Sequence, residues 1–277
     1  MSARQTNFLA QALQQGADAL RNRQFGRAEQ IAGDILKSNR TDRNAVLILA
    51  HALIGQNRAR EAIAPLERTA RRSDDGEVET LLGALLCKVG RAADGIAQLR
   101  RTIARRPPYL PSFQELAGQL SRAGQLGEAI SLIESGLALA PESIDLKLDL
   151  GRLFHENNEF AKALNILTIA RDAAPARPDI LIELGRILIL AGDYAAAADA
   201  FRYVLAQHPG EASVRAYLAT CLLELGEREA GEAALRAVMR GGPHLLGRAA
   251  FVMAASSHGR FFFDMNEAAK FLGGTSG

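Results

Sequence analysis

The stretch from Ile144 to Arg177, IDLKLDLGRLFHENNEFAKALNILTIARDAAPAR, decides the fold. Leu150, Gly151 and Phe154 stand at i, i+1 and i+4, one face of a helix. Ala163, Leu167 and Ala170 stand at i, i+4 and i+7, one face of a second helix, and Pro175 closes the segment. Pro175 is one of five prolines, at 107, 141, 175, 209 and 243, separated by 34 residues each time. Chance placement does not give such a period, and a period between 20 and 50 residues marks a repeat array.

Counting 34 residues outward, with proline at position 32, starts repeats at 76, 110, 144, 178 and 212, and the other positions fall into columns. Position 7 is Leu82, Leu116, Leu150, Leu184 and Leu218; position 8 is Gly83, Ala117, Gly151, Gly185 and Ala219. Position 11 holds Leu86, Leu120, Phe154, Leu188 and Leu222, and position 24 holds Leu99, Ile133, Leu167, Phe201 and Leu235. Position 20 is Gly95, Ala129, Ala163, Ala197 or Gly231, small because there the second helix crosses closest to the first. Gly90, Gly124, Gly192 and Gly226 at position 15 supply the left-handed residue that ends a helix, and the proline ends the second helix.

Two weaker repeats precede these, at 9–42 (Gly16, Phe25, Ala28) and 43–75 (Ala50, Leu53, Ala62, Leu66), both without the closing proline. Residues 1–8 read as an N-terminal extension and 9–245 as the repeat array. In 246–277, Arg248–Ser257 reads as one more first helix and Asp264–Leu272 as a short second helix with Asp264 as N-cap. That is a degenerate terminal unit, as a solenoid needs to seal its open end. Its Phe251, Val252, Phe261, Phe262, Phe263, Phe271 and Leu272 are the expected cover for Leu222, Leu225, Leu235 and Val238.

These columns resemble the tetratricopeptide repeat, of bacterial type, over residues 9–245. Lys147 or Arg215 at position 4, and Thr102, Gly136, Val204 and Val238 at position 27, depart from the family's usual tryptophan and alanine. The resemblance implies an all-α, right-handed superhelical solenoid of about seven helix-turn-helix repeats, whose first helices line a concave groove that holds a peptide or another protein's helix. It implies no chemistry. Chaperone-docking members hold a terminal carboxylate with lysine and asparagine at positions 5 and 9. That pair is absent here, for example at Leu148/Arg152 and Ile182/Arg186, which speaks against that sub-function.

Polar side chains expected to face the groove are Gln114, Glu115, Asp149, Arg152, His155, Glu183, Arg186, Tyr217 and Thr220. Arg152 and Arg186 are equivalent positions one repeat apart, and two guanidiniums can fork onto a carboxylate or onto peptide carbonyls. The bland alternative is i, i+3 pairing with Asp149 and Glu183, worth about 0.2–0.5 kcal/mol each. Leu148, Ile182 and Ile189 read either as apolar ligand contacts or as core. For Phe261, Phe262 and Phe263 two readings also stand, a seal over the core or an end contact for docking or dimerisation.

The chain has 277 residues, 33 Lys and Arg and 31 Asp and Glu. Residues 1–109 carry 18 basic and 11 acidic side chains, and residues 110–243 carry 12 and 18. The basic part concentrates at second-helix ends (Lys37/Arg40, Arg71/Arg72, Arg105/Arg106), where it either complements helix C-termini or steers a partner. Nucleic acid is not an expected partner, because the acidic half repels phosphates and the groove lacks stacking aromatics. The greasiest run, Ile180–Ala191, is interrupted by Glu183 and Arg186, so membrane insertion is not expected either.

No secretory signal is visible, and Cys87 and Cys221 read as buried, reduced thiols, all pointing to the cytoplasm. His51, His155, His208, His244 and His258 are scattered singly, and no catalytic triad, phosphate loop or metal spacing occurs. The expectation is a non-enzymatic scaffold or adaptor with a protein or peptide partner, without cofactor, metal or catalytic residues, and capable of self-association. The alternative is an accessory substrate-recruiting subunit of a sulfotransferase, glycosyltransferase or oxygenase type of modifying enzyme.

Overall fold

A computed structural model describes residues 3–273. Among them every regular element is helical. The first-helix series is α1 (Ala3–Arg21), α3 (Arg43–Gly55), α5 (Gly76–Lys88), α7 (Leu110–Arg122), α9 (Ile144–Glu156), α11 (Pro178–Leu190) and α13 (Ala212–Glu224). Each is followed by a second helix: α2 (Phe25–Ser38), α4 (Ala59–Ala70), α6 (Ala92–Ile103), α8 (Leu126–Leu139), α10 (Phe160–Ala173), α12 (Tyr194–Gln207) and α14 (Arg228–Met239). A short 3-10 turn (Pro243–Leu245) leads into α15 (Leu246–Ala255) and α16 (Met265–Gly273). The helices α1 and α15 begin earlier than the sequence suggests, so residues 3–8 extend α1 rather than standing outside it.

The chain forms two compact units, Met1–Gly136 and Leu137–Gly277. In each, a first helix packs on its own second helix and on the first helix of the next repeat, as α5 does on α6 and α7, and α11 on α12 and α13. The small residue at position 8 lets the large residue at position 24 of the same repeat lie against the first helix. A β-carbon at Gly83 would stand 2.6 Å from Leu99 Cγ, at Gly151 2.6 Å from Leu167 Cγ, and at Gly185 2.5 Å from the Phe201 ring. All five position-24 side chains are fully buried. Each contributes roughly 1.5–3 kcal/mol by leaving water.

The turn between paired helices is left-handed at position 15 in all seven repeats. Gly90, Gly124, Gly192 and Gly226 have φ between 75° and 92°, and Arg23, Asn57 and Asn158 take φ of 54°, 60° and 59°. Neighbouring repeats are also tied by ion pairs near their starts. Arg177 bonds Asp145 at 2.5 Å as well as Asp179, and the first of the forces holding the Asp179 carboxyl below its ordinary range is that bond from Arg177.

The last unit of the chain departs from the expected packing. Ala249, Ala250, Met253, Ala268 and Leu272 share a core with Ala219, Leu223 and Leu235, supported by Phe262 and Phe271. Phe251, Phe261 and Phe263 instead stand 72%, 69% and 91% exposed, and Leu225 is exposed too. Small alanines fit against α13 and α14 more closely than phenylalanine would. Asp264 does cap α16, accepting the Glu267 N–H at 2.8 Å. Cys221 is buried and its thiol pushed up to about 12 by burial, while Cys87, expected inside, is only half-buried; both are free thiols. No helix of the described residues is long and apolar enough to cross a membrane.

Candidate functional site

Positions 6, 9, 12 and 13 of one first helix stand near those of the next first helix. In the second unit these positions put Arg152 and His155 on α9 beside Glu183 and Arg186 on α11. Arg186 Nη1 donates to Glu183 Oε2 at 2.8 Å, and Arg152 Nε to Glu183 Oε1 at 3.4 Å. Each carboxylate oxygen thus takes one guanidinium. The i, i+3 pairing of Arg186 with Glu183 is the expected one, and Arg152 also stands 3.5 Å from Asp149. The bond from Arg152 to Glu183 joins two repeats, 31 residues apart, which spacing within one helix does not reveal.

His155 Nδ1 lies 4.0 Å from Glu183 Oε2. Burial, and then the Arg186 charge, lower its pKa, so the imidazole is neutral at pH 7. These residues line a cavity of about 360 Å³ completed by Phe160 and Leu190. Both are partly exposed, at 37% and 53%. Leu148, in contrast, is core, and Ile182 and Ile189 pack against the cluster around Phe201.

The remaining sequence candidates lie elsewhere. Tyr217 stacks on Phe201 at 5.5 Å and carries the Arg248 guanidinium on its ring, while Thr220 Oγ1 donates to the Ala216 carbonyl at 3.2 Å. Gln114 and Glu115 belong to the first unit, and Glu115 accepts from Gln119 Nε2 at 2.7 Å.

Glu115 borders a second cavity, about 650 Å³, that the sequence reading missed. Its walls are Ile54, Leu81, Ala84 and Cys87, with Lys88 and Arg122 at the rim. These are again positions 6, 9, 12 and 13, so the repeat count was the available signal. Burial and then the nearby Glu115 carboxylate raise the Cys87 pKa, keeping it a protonated, weakly polar wall. Among the described residues no group of His, Cys, Asp and Glu is arranged to hold a metal ion.

Tetratricopeptide-repeat profiles match residues 13–77, 148–212 and 188–244, together more than half of the chain. No curated protein matches. Among solved structures, the C-terminal part of a TPR repeat-containing protein from Cytophaga hutchinsonii is 14% identical with a TM-score of 0.57, over 83% of this chain and 95% of that one. A crystal structure of MamA is 16% identical with a TM-score of 0.51, over 57% and 93%, and MamA from Desulfovibrio magneticus RS-1 is 18% identical with a TM-score of 0.50, over 62% and 97%. At such identities the likeness is one of fold. With repeat profiles, helix pairs and neighbours in agreement, the chain belongs to the tetratricopeptide-repeat family, whose repeats serve as scaffolds for protein interaction.

Proposed function

We propose that this chain is a non-enzymatic adaptor that holds a peptide or helix of a protein partner on the surface of its first helices. The observation that carries the reading is the cavity at α9 and α11. There two guanidinium forks and a neutral imidazole sit beside the exposed apolar side chains of Phe160 and Leu190. Forked donors beside apolar surface suit a segment that offers carboxylate or carbonyl oxygens together with an aliphatic or aromatic side chain. The first-unit cavity, mostly apolar with a charged rim, suits a further apolar side chain of a partner.

The test places a photo-crosslinking amino acid at Leu190 in native cells and identifies the captured chain by mass spectrometry. Changing Arg152 and Arg186 together to Ala is expected to leave the helical circular dichroism unchanged and to weaken binding of that chain at least tenfold, about 1.4 kcal/mol. Equal binding by the double variant would mean that the arginines serve only their own helices.

A further inference from the structure

The second helices of the first unit carry a basic ridge, apart from the first-helix surface and independent of its proposed role. At its start Lys37 and Arg40 meet Arg68 around a cavity of about 410 Å³ whose lining contains no carboxylate. Arg68 and Arg71 stand three residues apart at the end of α4, neighbours on one face. Arg71 then lines a second cavity, about 420 Å³, with Arg91, Arg101 and Arg105.

That cavity also holds Glu67, Glu79 and Asp94, but its carboxylates are already engaged. Arg105 bonds the buried Glu79, with Nε to Oε2 at 2.8 Å. Arg91 reaches Asp94 at 2.8 Å and Glu67 at 3.8 Å. Asp34 takes Lys37 at 2.7 Å. Arg40, Arg68, Arg71 and Arg101 are left exposed without a carboxylate partner among the described residues, Arg101 bonding only the Gln98 amide at 2.7 Å. Nor do these side chains close off helix ends: on this ridge Arg106 is the one whose guanidinium bonds terminal carbonyls, those of Ala104 and Arg105.

We infer that this ridge binds an acidic segment of a partner protein, its carboxylates spread over the four unpaired guanidiniums from Arg40 to Arg101. A peptide brings acceptors in its carboxylates and donors in its backbone N–H groups, and those donors can share Glu67 and Asp94 with Arg91 at the cavity edge. A nucleic-acid backbone brings acceptors only and has no such donor to offer them. Neither cavity offers an aromatic ring for a base to stack on. Apolar floor residues, Leu36 in one cavity and Leu82 and Leu86 in the other, favour an acidic segment with interspersed aliphatic side chains.

The full chain is titrated into fluorescein-labelled octaglutamate and, separately, a labelled oligothymidine of equal charge, with anisotropy read at low and at physiological salt. Octaglutamate is expected to bind more tightly than the oligonucleotide, with affinity falling as salt rises. The triple variant Arg68→Gln, Arg71→Gln, Arg101→Gln should lose at least about tenfold, while the corresponding three Arg→Lys changes, which keep charge and fold, retain most of it. The variant Arg171→Gln, Arg202→Gln, which removes two arginines from the second helices α10 and α12 of the other unit, should bind octaglutamate normally, which ties binding to this ridge and not to net charge. Absence of octaglutamate binding, tighter binding of the oligonucleotide, an unaffected triple Gln variant, or equal loss in the Arg171 and Arg202 variant each overturns the assignment.

Discussion

The Phe201 ring lies directly over Gly185, so close that a β-carbon there would stand 2.5 Å from ring Cζ and 2.7 Å from Cε1. Phe201 is fully buried between α11 and α13 and has nowhere to move. Gly185→Ala is therefore expected to destabilise by roughly 1–3 kcal/mol through overpacking, although alanine is the better helix former by about 1 kcal/mol. A urea midpoint that rises instead would show that the helix pair can separate without cost.

Arg23 occupies a left-handed turn that four other repeats assign to glycine. Left-handed backbone costs a residue with a β-carbon about 1–2 kcal/mol. Arg23→Gly should raise stability by about 1 kcal/mol, and Arg23→Ala should leave it nearly unchanged. Asn57→Gly should gain less, since asparagine tolerates this conformation. Thermal melts of the three variants give the order directly.

The Thr69 hydroxyl is buried without a hydrogen-bond partner, whereas the equivalent Thr102 Oγ1 one repeat later donates to the Gln98 carbonyl at 3.0 Å. Thr69→Val exchanges an unmet polar group for a methyl of the same shape and should stabilise by about 1 kcal/mol. Thr102→Val removes a made bond and should be neutral or destabilising. Paired denaturant titrations with unchanged slopes compare them.

Removing residues 246–277 strips the cover from Leu223 and Leu235 and breaks the bonds from Ser257 to Glu224 at 2.9 and 2.6 Å. Because repeat proteins are stabilised mainly by nearest-neighbour interfaces, the loss should be local. Hydrogen exchange should accelerate in α11 to α14 while α9 and α10 keep their protection. Protection lost evenly along the second unit, or lost nowhere, would refute α15 and α16 as its seal.

The helix pairs were legible because their determinants are periodic. Proline, the small residue at position 20 and the large one at position 24 recur every 34 residues, and each acts within its own repeat. Arg23, Asn57 and Asn158 did not stand out at position 15, because turn geometry there is imposed by the packed helices on either side and not by residue type. The Arg152 to Glu183 bond was hidden for another reason: it depends on how two repeats stack. Leu81, Ala84 and Cys87 escaped notice since apolar side chains on a first helix look the same whether they face core or cavity. Aromatic content did not tell which phenylalanines turn inward: Phe262 and Phe271 pack on a cover of alanine, methionine and leucine, and Phe251, Phe261 and Phe263 stay exposed.

Under the proposed role of the α9 and α11 cavity, Glu183, held between Arg152 and Arg186, is an internal decoy. Its carboxylate already sits where a visiting one would, so a bare anion trades one ion pair for another and gains little. Affinity then depends on what a segment adds beyond charge, through Phe160 and Leu190, and the arginines confer selectivity by being hard to win over. On that reading a Glu183→Gln chain loses the filter, and small carboxylates are expected to compete for its first helices more strongly than for those of the natural chain.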